Sequence, residues 1–588
     1  MSHVRQNINM LYNCNNDIVT NTKGMSDILQ DQFISVFSDP NDPHIKSPDF
    51  AQPVIEKPFA QYDLSISSDD VISAISDINT SSASGPDGIP VVILKACAHE
   101  LCEPIISIWS ESYNCGVIPE FYKQSHITPL FKKGDRARAV NYRPISLTSH
   151  IVKIYERILR KFVVSYLEDN DILSHKQHGF RSGRSCLTQM LSHFDDIMEG
   201  LTYGKDTDAI YLDYAKAFDK VDHRLLIAKL QRYGFSPQFI AWIRSFLTNR
   251  PQTVVLNGIH SYLAAIISGV PQGTVLGPIL FILFINDMEN CVQHSSVRLF
   301  ADDTRVSKQI SCEHDVKLLQ DDLYNIIDWS KSNNMMLHED KFELIIHKHR
   351  LNSTIYELPF VSESMTYKVT TGKSLTPVDI LKDLGVIVSS DLSWRPHISS
   401  IVQRARSVAA WVFSVFKARD VTTMMTLYKS LVRCHLEYCC PLWHPSSVAD
   451  IKLLEGVQRT FTSKIYGVQH LNYWQRLQAL GLMSLQRRRE RYIIIQMWKV
   501  LHNLCPNDVK IQFNAPSRHG ITAKIPSLSK CSSQHNQTLY DSSFAVLGPK
   551  LWNYLPSHLP AIADLVGFKQ KLTIFCYLSQ TIHQLATM

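Results

Sequence analysis

Two apolar β-type segments that each end in carboxylates constrain the fold of this chain more than any other feature. Residues 206–214 (DTDAIYLDY) run to Asp213, and residues 296–300 (SVRLF) run directly towards Asp302 and Asp303. A hydrophobic strand that ends in two acidic residues is costly unless a counter-charge meets them. We therefore expect the two strands to be neighbours in one sheet, with their carboxylates at a common edge.

A divalent cation would supply this counter-charge. Hard carboxylate oxygens select Mg²⁺, with Mn²⁺ as the alternative, over zinc. Three carboxylates are a sufficient ligand set for two ions about 3.5–4 Å apart, which is the arrangement that catalyses phosphoryl transfer. Because adjacent residues of a regular strand point to opposite faces, Asp302 and Asp303 must lie at a turn if both are to bind metal. Considered without its surroundings, an Asp-Asp pair is more often a solvent-exposed turn.

Composition excludes several classes of protein. The chain has 588 residues, 45% of them apolar and 19% charged, which is typical of a globular protein with several domains. The longest apolar run, residues 275–285, is shorter than the ~20 residues that a membrane span needs, and the N-terminus does not resemble a signal peptide. The 13 cysteines are scattered, so we expect reduced thiols in an intracellular protein without a membrane partner.

Charge is distributed unevenly along the chain. Residues 1–100 contain 5 Lys/Arg and 13 Asp/Glu, a net charge of −8, whereas residues 401–500 contain 15 Lys/Arg and 5 Asp/Glu, a net charge of +10. This asymmetry indicates a polyanionic partner, although a solvated helical surface would explain it as well. Four cations near Trp474 and Tyr492 suit a nucleic-acid backbone with stacked bases. They are Arg487, Arg488, Arg489 and Arg491.

Five residues with metal-binding side chains lie close together in the basic segment. They are Cys434, His435, Cys439, Cys440 and His444. Their spacing differs from a regular CxxC array, and they fall in a helical pattern, LYKSLVRCHLEYCCPLW. We therefore favour a helix core over a zinc site.

Motifs around the strand-end carboxylates resemble those of reverse transcriptases. Residues 300–303 (FADD) match their F/Y-x-D-D box, and residues 211–223 (YLDYAKAFDKVDH) resemble the box around their first catalytic aspartate. Residues 269–278 (GVPQGTVLGP) resemble their Pro-Gln-Gly box. Residues 141–148 (NYRPISLT) and 177–185 (QHGFRSGRS) are similar to their fingers motifs. A series of such motifs in the family's order makes a chance match very improbable.

Further segments are similar to one branch, the LINE-type non-LTR retrotransposons of the jockey and chicken-repeat kind. They are ITPLFKKGD (127–135), KDLGVIVSSDLSW (382–394), LVRCHLEYCCPLW (431–443), LQALGLMSLQRRR (477–489) and FAVLGPKLWNYLP (544–556). The resemblance covers about residues 60–560, and it implies an α+β fold with the right-hand arrangement of a polymerase. Fingers and a palm with an antiparallel sheet would occupy residues 61–390, and a basic helical thumb with an adjoining region residues 391–505. A mostly helical C-terminal extension would follow in residues 506–588, whereas residues 1–60 would be a linker or an incomplete N-terminal region.

The resemblance also assigns roles by position. Asp213, Asp302 and Asp303 would be catalytic and would bind two Mg²⁺ ions, with the Tyr214 carbonyl as a backbone ligand. Phe218 would be the steric gate that selects deoxynucleotides, the alternative being a core aromatic residue. The other residues assigned to the incoming nucleotide are Lys132, Lys133, Arg143, Gln272, Gly273 and Lys341, the lysines being equally explained as exposed cations. Those assigned to the primer grip are Leu384, Gly385 and Val386.

The implied activity is RNA-directed DNA synthesis on a template RNA, with dNTPs added to the 3′-OH of a DNA primer or target DNA. A rival from another class is a catalytically inactive nucleic-acid-binding remnant, and a group II intron-type maturase is a second rival. The sequence does not resemble the apurinic-type endonuclease that normally precedes the polymerase in this branch. By resemblance we expect a nuclear location with a cytoplasmic ribonucleoprotein stage, whereas the oligomeric state has no sequence signal.

Overall fold

The computed structural model describes residues 8–38, 52–62, 64–349, 366–515, 521–526 and 534–587. The strands of this part are β1 (Leu11–Tyr12), β2 (Ile18–Val19), β3 (Ser125–Phe131), β4 (Tyr142–Leu147), β5 (Asp206–Leu212), β6 (Arg250–Leu256), β7 (Ile259–His260), β8 (Ala264–Ile266), β9 (Ser296–Phe300), β10 (Asp303–Ile310), β11 (Glu343–His347), β12 (Ile380–Asp383) and β13 (Val386–Ser389).

The helices that precede β11 are α1 (Thr22–Ile34), α2 (Ser68–Ser76), α3 (Val91–Ala96), α4 (Ala98–Cys115), α5 (His150–Asp169), α6 (Cys186–Thr202), α7 (Ala217–Lys220), α8 (His223–Arg232), α9 (Pro237–Leu247), α10 (Gly277–Ile285) and α11 (Glu313–Ser332). Those that follow are α12 (Arg395–Val415), α13 (Val421–Leu427), α14 (Val448–Thr462), α15 (Tyr473–Ala479), α16 (Leu485–Leu501), α17 (Gln534–Ser542), α18 (Phe544–Asn553) and α19 (Leu565–Thr587). The mixture of helices and mainly antiparallel sheets confirms the predicted α+β class.

The two acidic segments lie in one antiparallel sheet of four strands, in the order β11-β5-β10-β9. The predicted strands at 206–214 and 296–300 correspond to β5 and β9, but β10 lies between them. Because β10 begins at Asp303, the Asp-Asp pair still reaches the strand that neighbours β5. A second sheet has the order β4-β3-β6-β7, with β8 also paired to β6, and it contains one parallel pair, β3 with β6.

The N-terminal segment differs from the predicted linker. Helix α1 begins after Asn21, whose side chain accepts a hydrogen bond from the Gly24 amide, and it buries Met25, Leu29 and Phe33. These side chains pack with residues of β3, β4 and β6 in a separate hydrophobic cluster. The linker interpretation is therefore wrong for the described residues 8–38, because an amphipathic helix covers one face of the second sheet.

The largest hydrophobic core joins the four-stranded sheet to the helices that surround it. Helix α2 starts with a capping box between Ser67 and Asp70, as its sequence predicts, and helix α10 contributes a run of fully buried side chains. The longest apolar run of the chain is thus a core helix. In the described part of the chain, no helix is both long and apolar enough to cross a bilayer.

A second core holds the helical part of the chain together. Helices α12 to α16 pack with α18 and α19 around buried tryptophans such as Trp443 and Trp498, and α6 and the hairpin β12–β13 join the same cluster. Cys439 and Cys440 are buried in this core, whereas Cys434 is exposed. The two buried cysteines thus belong to the core as predicted, but the predicted helix is wrong for them. A π-helical turn at Tyr428–Val432 leads into a 3-10 helix at Arg433–Leu436, and turns follow from Glu437 onwards.

Candidate active site

A two-residue turn between β9 and β10 presents the Asp-Asp pair. Phe300 pairs with Asp303 across the hairpin, so Ala301 and Asp302 form the turn, and Ala301 adopts a left-handed backbone conformation with a φ of 54°. Thr304 pairs with Leu212, the residue before Asp213. This register brings the three predicted carboxylates to one edge of the sheet and satisfies the requirement that the Asp-Asp pair lie at a turn.

A buried glutamine supports this turn from the neighbouring segment. The Gln177 side-chain carbonyl accepts hydrogen bonds from the amides of Ala301, at 2.9 Å, and Gly179, at 2.8 Å. The His178 amide donates to the Leu299 carbonyl, so the segment runs alongside β9. A side chain at Gly179 would collide with the Ala301 amide, which explains why glycine stands at this close approach. The sequence motif included Gln177, but only the structure shows what its side chain contacts.

The carboxylates repel each other because they are close together and partly removed from water. Burial raises the pKa of Asp302, and the charge of Asp213 raises it further. Although Asp303 lies at the exposed end of its strand, burial raises its pKa to about 6, with added repulsion from Asp302 and Asp383. A bound cation would neutralise this excess of negative charge, so the oxygen donors suit Mg²⁺ in both charge and hardness.

The Lys341 ammonium forms an ion pair with the Asp213 carboxylate. Its Nζ is 2.8 Å from Asp213 Oδ2, and both side chains are about half exposed. With the side chains so placed, the described residues contain no group of three His, Cys, Asp or Glu side chains that could hold a metal ion. Beside Asp213, the Tyr214 ring is buried and its hydroxyl contacts the Met288 sulfur at 3.0 Å.

Cations predicted to hold the nucleotide triphosphate face the carboxylates from the second sheet. Burial lowers the pKa of Lys132, and nearby Arg143 and Lys341 lower it further while Asp213 opposes the change. Lys133 and Arg143 are exposed. The structure therefore brings Lys132, Arg143 and Lys341 together around Asp213, where an anionic ligand would relieve their mutual repulsion.

Phe218 packs on α10, whereas Gln272 and Gly273 contact Ser146 of β4 in the second sheet. The half-buried Phe218 ring stacks on Phe281 with a centroid distance of 4.1 Å. The Gln272 amide group donates to Asp219 at 2.8 Å, and burial raises the pKa of that carboxyl to about 6. Gly273 has a φ of 111°, and a Cβ there would lie 2.7 Å from the Ser146 carbonyl. Glycine is thus required for both conformation and space.

The predicted primer grip is a tight turn between β12 and β13. Leu384 and Gly385 form it with φ values of 43° and 87°, and Asp383 pairs with Val386 across it. The Tyr438 hydroxyl, from the helical part of the chain, donates to the Leu384 carbonyl at 2.8 Å. Val386 is buried in the second core, so only the turn itself is available to a ligand.

Of the four arginines predicted to bind nucleic acid, three are partly exposed and paired within the protein, and the fourth is buried. They lie on α16: Arg487 pairs with Glu490 at 2.7 Å, and Arg488 donates to Glu437 at 3.0 Å. Arg491 donates to Thr573 at 2.9 Å. Arg489 is fully buried, and none of its three guanidinium nitrogens has a hydrogen-bond partner among the described residues. Arg489 is thus enclosed by the core, whereas the role of the three partly exposed arginines in nucleic-acid binding stays a prediction.

Residues 131–373 match the family described as reverse transcriptase (RNA-dependent DNA polymerase). They include β5, β9 and β10 with all three carboxylates. The chain contains a reverse transcriptase domain. The matched range extends from the end of β3, beside the lysines predicted to bind nucleotide, to the segment before β12.

Relatives of this chain are named as polymerases of transposable elements. The chain is 27% identical over 400 residues to the probable RNA-directed DNA polymerase from transposon X-element of Drosophila melanogaster, an alignment that covers 66% of this chain and 42% of the relative. It is 25% identical over 428 residues to the RNA-directed DNA polymerase from mobile element jockey of the same species, which covers 70% and 45%. The chain thus spans less than half the length of these relatives. The predicted reverse transcriptase domain is confirmed for residues 131–373, and the named relatives are polymerases of mobile elements.

The structure adds two charged residues to the reverse transcriptase domain's site that the sequence reasoning missed, Arg305 and Asp383. Arg305 lies two residues after Asp303 on β10 and therefore on the same face of the strand. A charged residue inside a buried strand was the signal that could have identified it. Asp383 immediately precedes the primer-grip turn, and its buried charge needs a partner.

Proposed function

We propose that the chain is an RNA-directed DNA polymerase of a non-LTR retrotransposon. The observation that carries the proposal is the convergence of Asp213, Asp302 and Asp303 at one sheet edge within a reverse transcriptase domain. Their mutual repulsion gives them an affinity for cations, and their oxygens are hard ligands. The reaction would join a primer 3′-OH to the α-phosphate of a dNTP, with pyrophosphate leaving.

Two Mg²⁺ ions, or Mn²⁺ in their place, would be held by the three carboxylates and the Tyr214 carbonyl. When bound, such ions lower the pKa of the attacking hydroxyl and stabilise charge on the leaving pyrophosphate. Asp302 would present its oxygens from the turn and Asp303 from the first residue of β10, so that the hairpin fixes both directions of approach. Lys341, next to Asp213, would be available to the pyrophosphate oxygens once the carboxylate has another counter-ion.

The incoming nucleotide would lie between the carboxylates and the second sheet. Arg143 and Lys132 would hold the triphosphate, for which a guanidinium and an ammonium are suitable donors. Phe218, held by its stack on Phe281, would occupy the space of a ribose 2′-OH. Gln272, fixed through Asp219, would lie along the nucleotide or the template base.

In this proposal the molecule has the right-hand arrangement. The four-stranded sheet and its helices would be the palm, the second sheet with α4 to α6 the fingers, and α12 onwards the thumb. The turn at Leu384 and Gly385 would seat the primer 3′ end, and its contact with Tyr438 would couple palm to thumb.

Template RNA and the DNA primer would contact the exposed face of α12 in preference to α16. Arg404, Arg406 and Trp411 are exposed on this helix, whereas the arginines of α16 are paired within the protein or buried. Exposed cations beside an exposed aromatic ring suit a phosphate backbone and an unpaired base. Target DNA would be reached in the nucleus after a cytoplasmic ribonucleoprotein stage.

Primer extension tests this function. The purified chain is given an RNA template with an annealed DNA primer, dNTPs and Mg²⁺, and is compared with Asp302→Ala/Asp303→Ala. A matched control, Asp321→Ala/Asp328→Ala, removes two exposed carboxylates of α11 outside the site. We expect extension by the parent and the control and none by the site variant. If all three bind the primer–template and none extends it, the chain is a non-catalytic nucleic-acid-binding remnant and the proposal is wrong.

A further inference from the structure

A buried ion pair connects the catalytic hairpin to the primer-grip turn. Arg305 Nη2 donates to Asp383 Oδ1 at 2.7 Å, and Arg305 Nη1 lies 2.5 Å from Oδ2 of the same carboxylate. Both side chains are almost completely buried. Arg305 also donates to Gln189 of α6 at 3.2 Å and lies over the Tyr211 ring. The guanidinium is thus fixed in direction as well as in position.

Each partner lies close to a predicted functional element. Arg305 is two residues after Asp303 on β10, and it pairs across the sheet with Tyr211, two residues before Asp213. Asp383 is the last residue of β12, immediately before Leu384 of the turn. The ion pair therefore links two elements that must act on the same primer end.

The hairpin β12–β13 depends on such side-chain contacts because it forms a separate sheet from the carboxylate-bearing strands. At its base, the Val378 amide donates to the Leu344 carbonyl at 2.8 Å, and the His347 ring bonds the Ser390 carbonyl at 3.0 Å. At the opposite end, the turn is held by Arg305 on one side and by the Tyr438 hydroxyl on the other. Loss of the ion pair would leave the turn held on the Tyr438 side alone and would allow it to shift relative to β10.

We propose that Arg305 and Asp383 are positioning residues that set the distance between the Leu384–Gly385 turn and the three carboxylates, and hence the placement of the primer 3′ end. This inference rests on the proposed polymerase function. A buried ion pair often stabilises a fold no better than apolar side chains of similar volume, whereas hydrogen bonds from one guanidinium nitrogen to both Asp383 and Gln189 define its direction. The role of the Arg305–Asp383 ion pair is therefore to fix the position of the turn.

The test replaces both partners together, with Arg305→Met/Asp383→Leu, because single changes would leave an unpaired buried charge and could prevent folding. The matched control is Lys229→Met/Asp287→Leu, which removes a second buried ion pair that contacts the Phe284 carbonyl of α10 and not the turn. Thermal unfolding is measured for both. We expect similar, small changes in melting temperature for the two double variants.

Extension rates then separate positioning from stability. A displacement of about 1 Å at the reacting atoms costs up to ~100-fold in rate. We expect the Arg305/Asp383 double variant to lose between about 10- and 100-fold in kcat, with an unchanged KM for dNTP, while the control keeps the parent rate. Parental kcat in the double variant would overturn the inference. Failure of the parent itself to extend would instead contradict the proposed function.

A second measurement does not depend on catalysis. A primer that ends in a photoactivatable thiothymidine is bound with its template, irradiated, and the cross-linked peptide is identified by mass spectrometry. We expect the parent and the Lys229/Asp287 control to cross-link at residues 384 and 385, and the Arg305/Asp383 double variant to lose this cross-link. The same cross-link in equal yield from the double variant would show that the ion pair does not place the primer end.

Discussion

The sheet that carries the carboxylates and the helix that carries the arginines place their charged side chains differently, although both sets were predicted to be functional. Asp213, Asp302 and Asp303 meet at one edge of the sheet. On α16, by contrast, Arg488 is paired with Glu437 and Arg489 is fully buried. Similar sequence signals, charged residues beside apolar ones, thus led to an open site in one region and to internal contacts in the other.

The difference lies in how much freedom each element leaves to its side chains. A strand that ends in a two-residue turn fixes the direction of the following residues, and the pairing of Thr304 with Leu212 fixes the neighbour. A run of three arginines on a helix must cover most of its circumference, so at least one of them points towards whatever the helix packs against. Because α16 packs with α14, α18 and α19, that direction is the core.

The largest expected effect is the loss of one carboxylate in the sheet. We expect Asp302→Asn to reduce primer extension by about 10³-fold or more, because a metal ligand contributes several kcal/mol to transition-state stabilisation. Circular dichroism and thermal unfolding should show a folded variant, since the side chain lies in a turn at the sheet edge. Retention of even a tenth of the parental rate would contradict the catalytic role of the turn.

The second-largest expected effect is on the choice between deoxynucleotides and ribonucleotides, next to the same carboxylates. We expect Phe218→Ala to raise the ratio of ribonucleotide to deoxynucleotide incorporation by about 10- to 100-fold, because a steric contact of this kind contributes a few kcal/mol to discrimination. The stack on Phe281 of α10 holds the ring in place. Single-nucleotide incorporation with each substrate measures the ratio. An unchanged ratio would mean that Phe218 is a core aromatic residue and not the gate.

A smaller effect distinguishes the exposed cations of α12 from the buried one of α16. We expect Arg404→Gln/Arg406→Gln to weaken primer–template binding several-fold and to lower the slope of log affinity against log salt by about 1 per lost phosphate contact. Arg489→Met should leave both quantities unchanged, because its guanidinium is not accessible to a phosphate. Fluorescence anisotropy titrations at several salt concentrations measure them. Weaker binding and a lower salt slope for Arg489→Met, with neither changed in the α12 variant, would instead support the sequence prediction for α16.

The smallest effect is a pH dependence of stability. Burial raises the pKa of Asp219 to about 6, above its unfolded value of about 3.9. Between these two pH values, the Asp219 carboxyl therefore takes up a proton when the chain folds. The stabilisation from protonation is complete below pH ~4 and is lost as pH rises through ~6. We expect Asp219→Asn to be more stable than the parent by about 1–3 kcal/mol at pH 8 and equally stable at pH 4. Melting temperatures at both pH values provide the measurement, and an equal difference at each would contradict the pKa shift.

The elements with strong local signals could be predicted from the sequence. The strands β5 and β9 lie where the residues indicate. The requirement for a turn at the Asp-Asp pair followed from strand geometry alone. These features depend on neighbouring residues, so a single sequence contains them.

Long-range packing could not be predicted in the same way. The N-terminal helix α1 has a weak pattern and is fixed by its contact with the second sheet. The pairing of Arg305 with Asp383 joins residues 78 positions apart, and neither shows its partner in the sequence. The orientation of α16 likewise depends on which helices cover it. In each case tertiary contacts decide the outcome, and local periodicity does not contain them.

Counting bound metal ions would test the central claim, that the three strand-end carboxylates form a two-metal site. Mn²⁺ is titrated into the chain bound to an RNA template, a chain-terminated DNA primer and the next dNTP, and free Mn²⁺ is followed by electron paramagnetic resonance. We predict two tightly bound ions for the parent and the loss of at least one in Asp213→Asn/Asp302→Asn, which still binds the primer–template. Equal numbers of ions with equal affinity in both proteins would contradict the account.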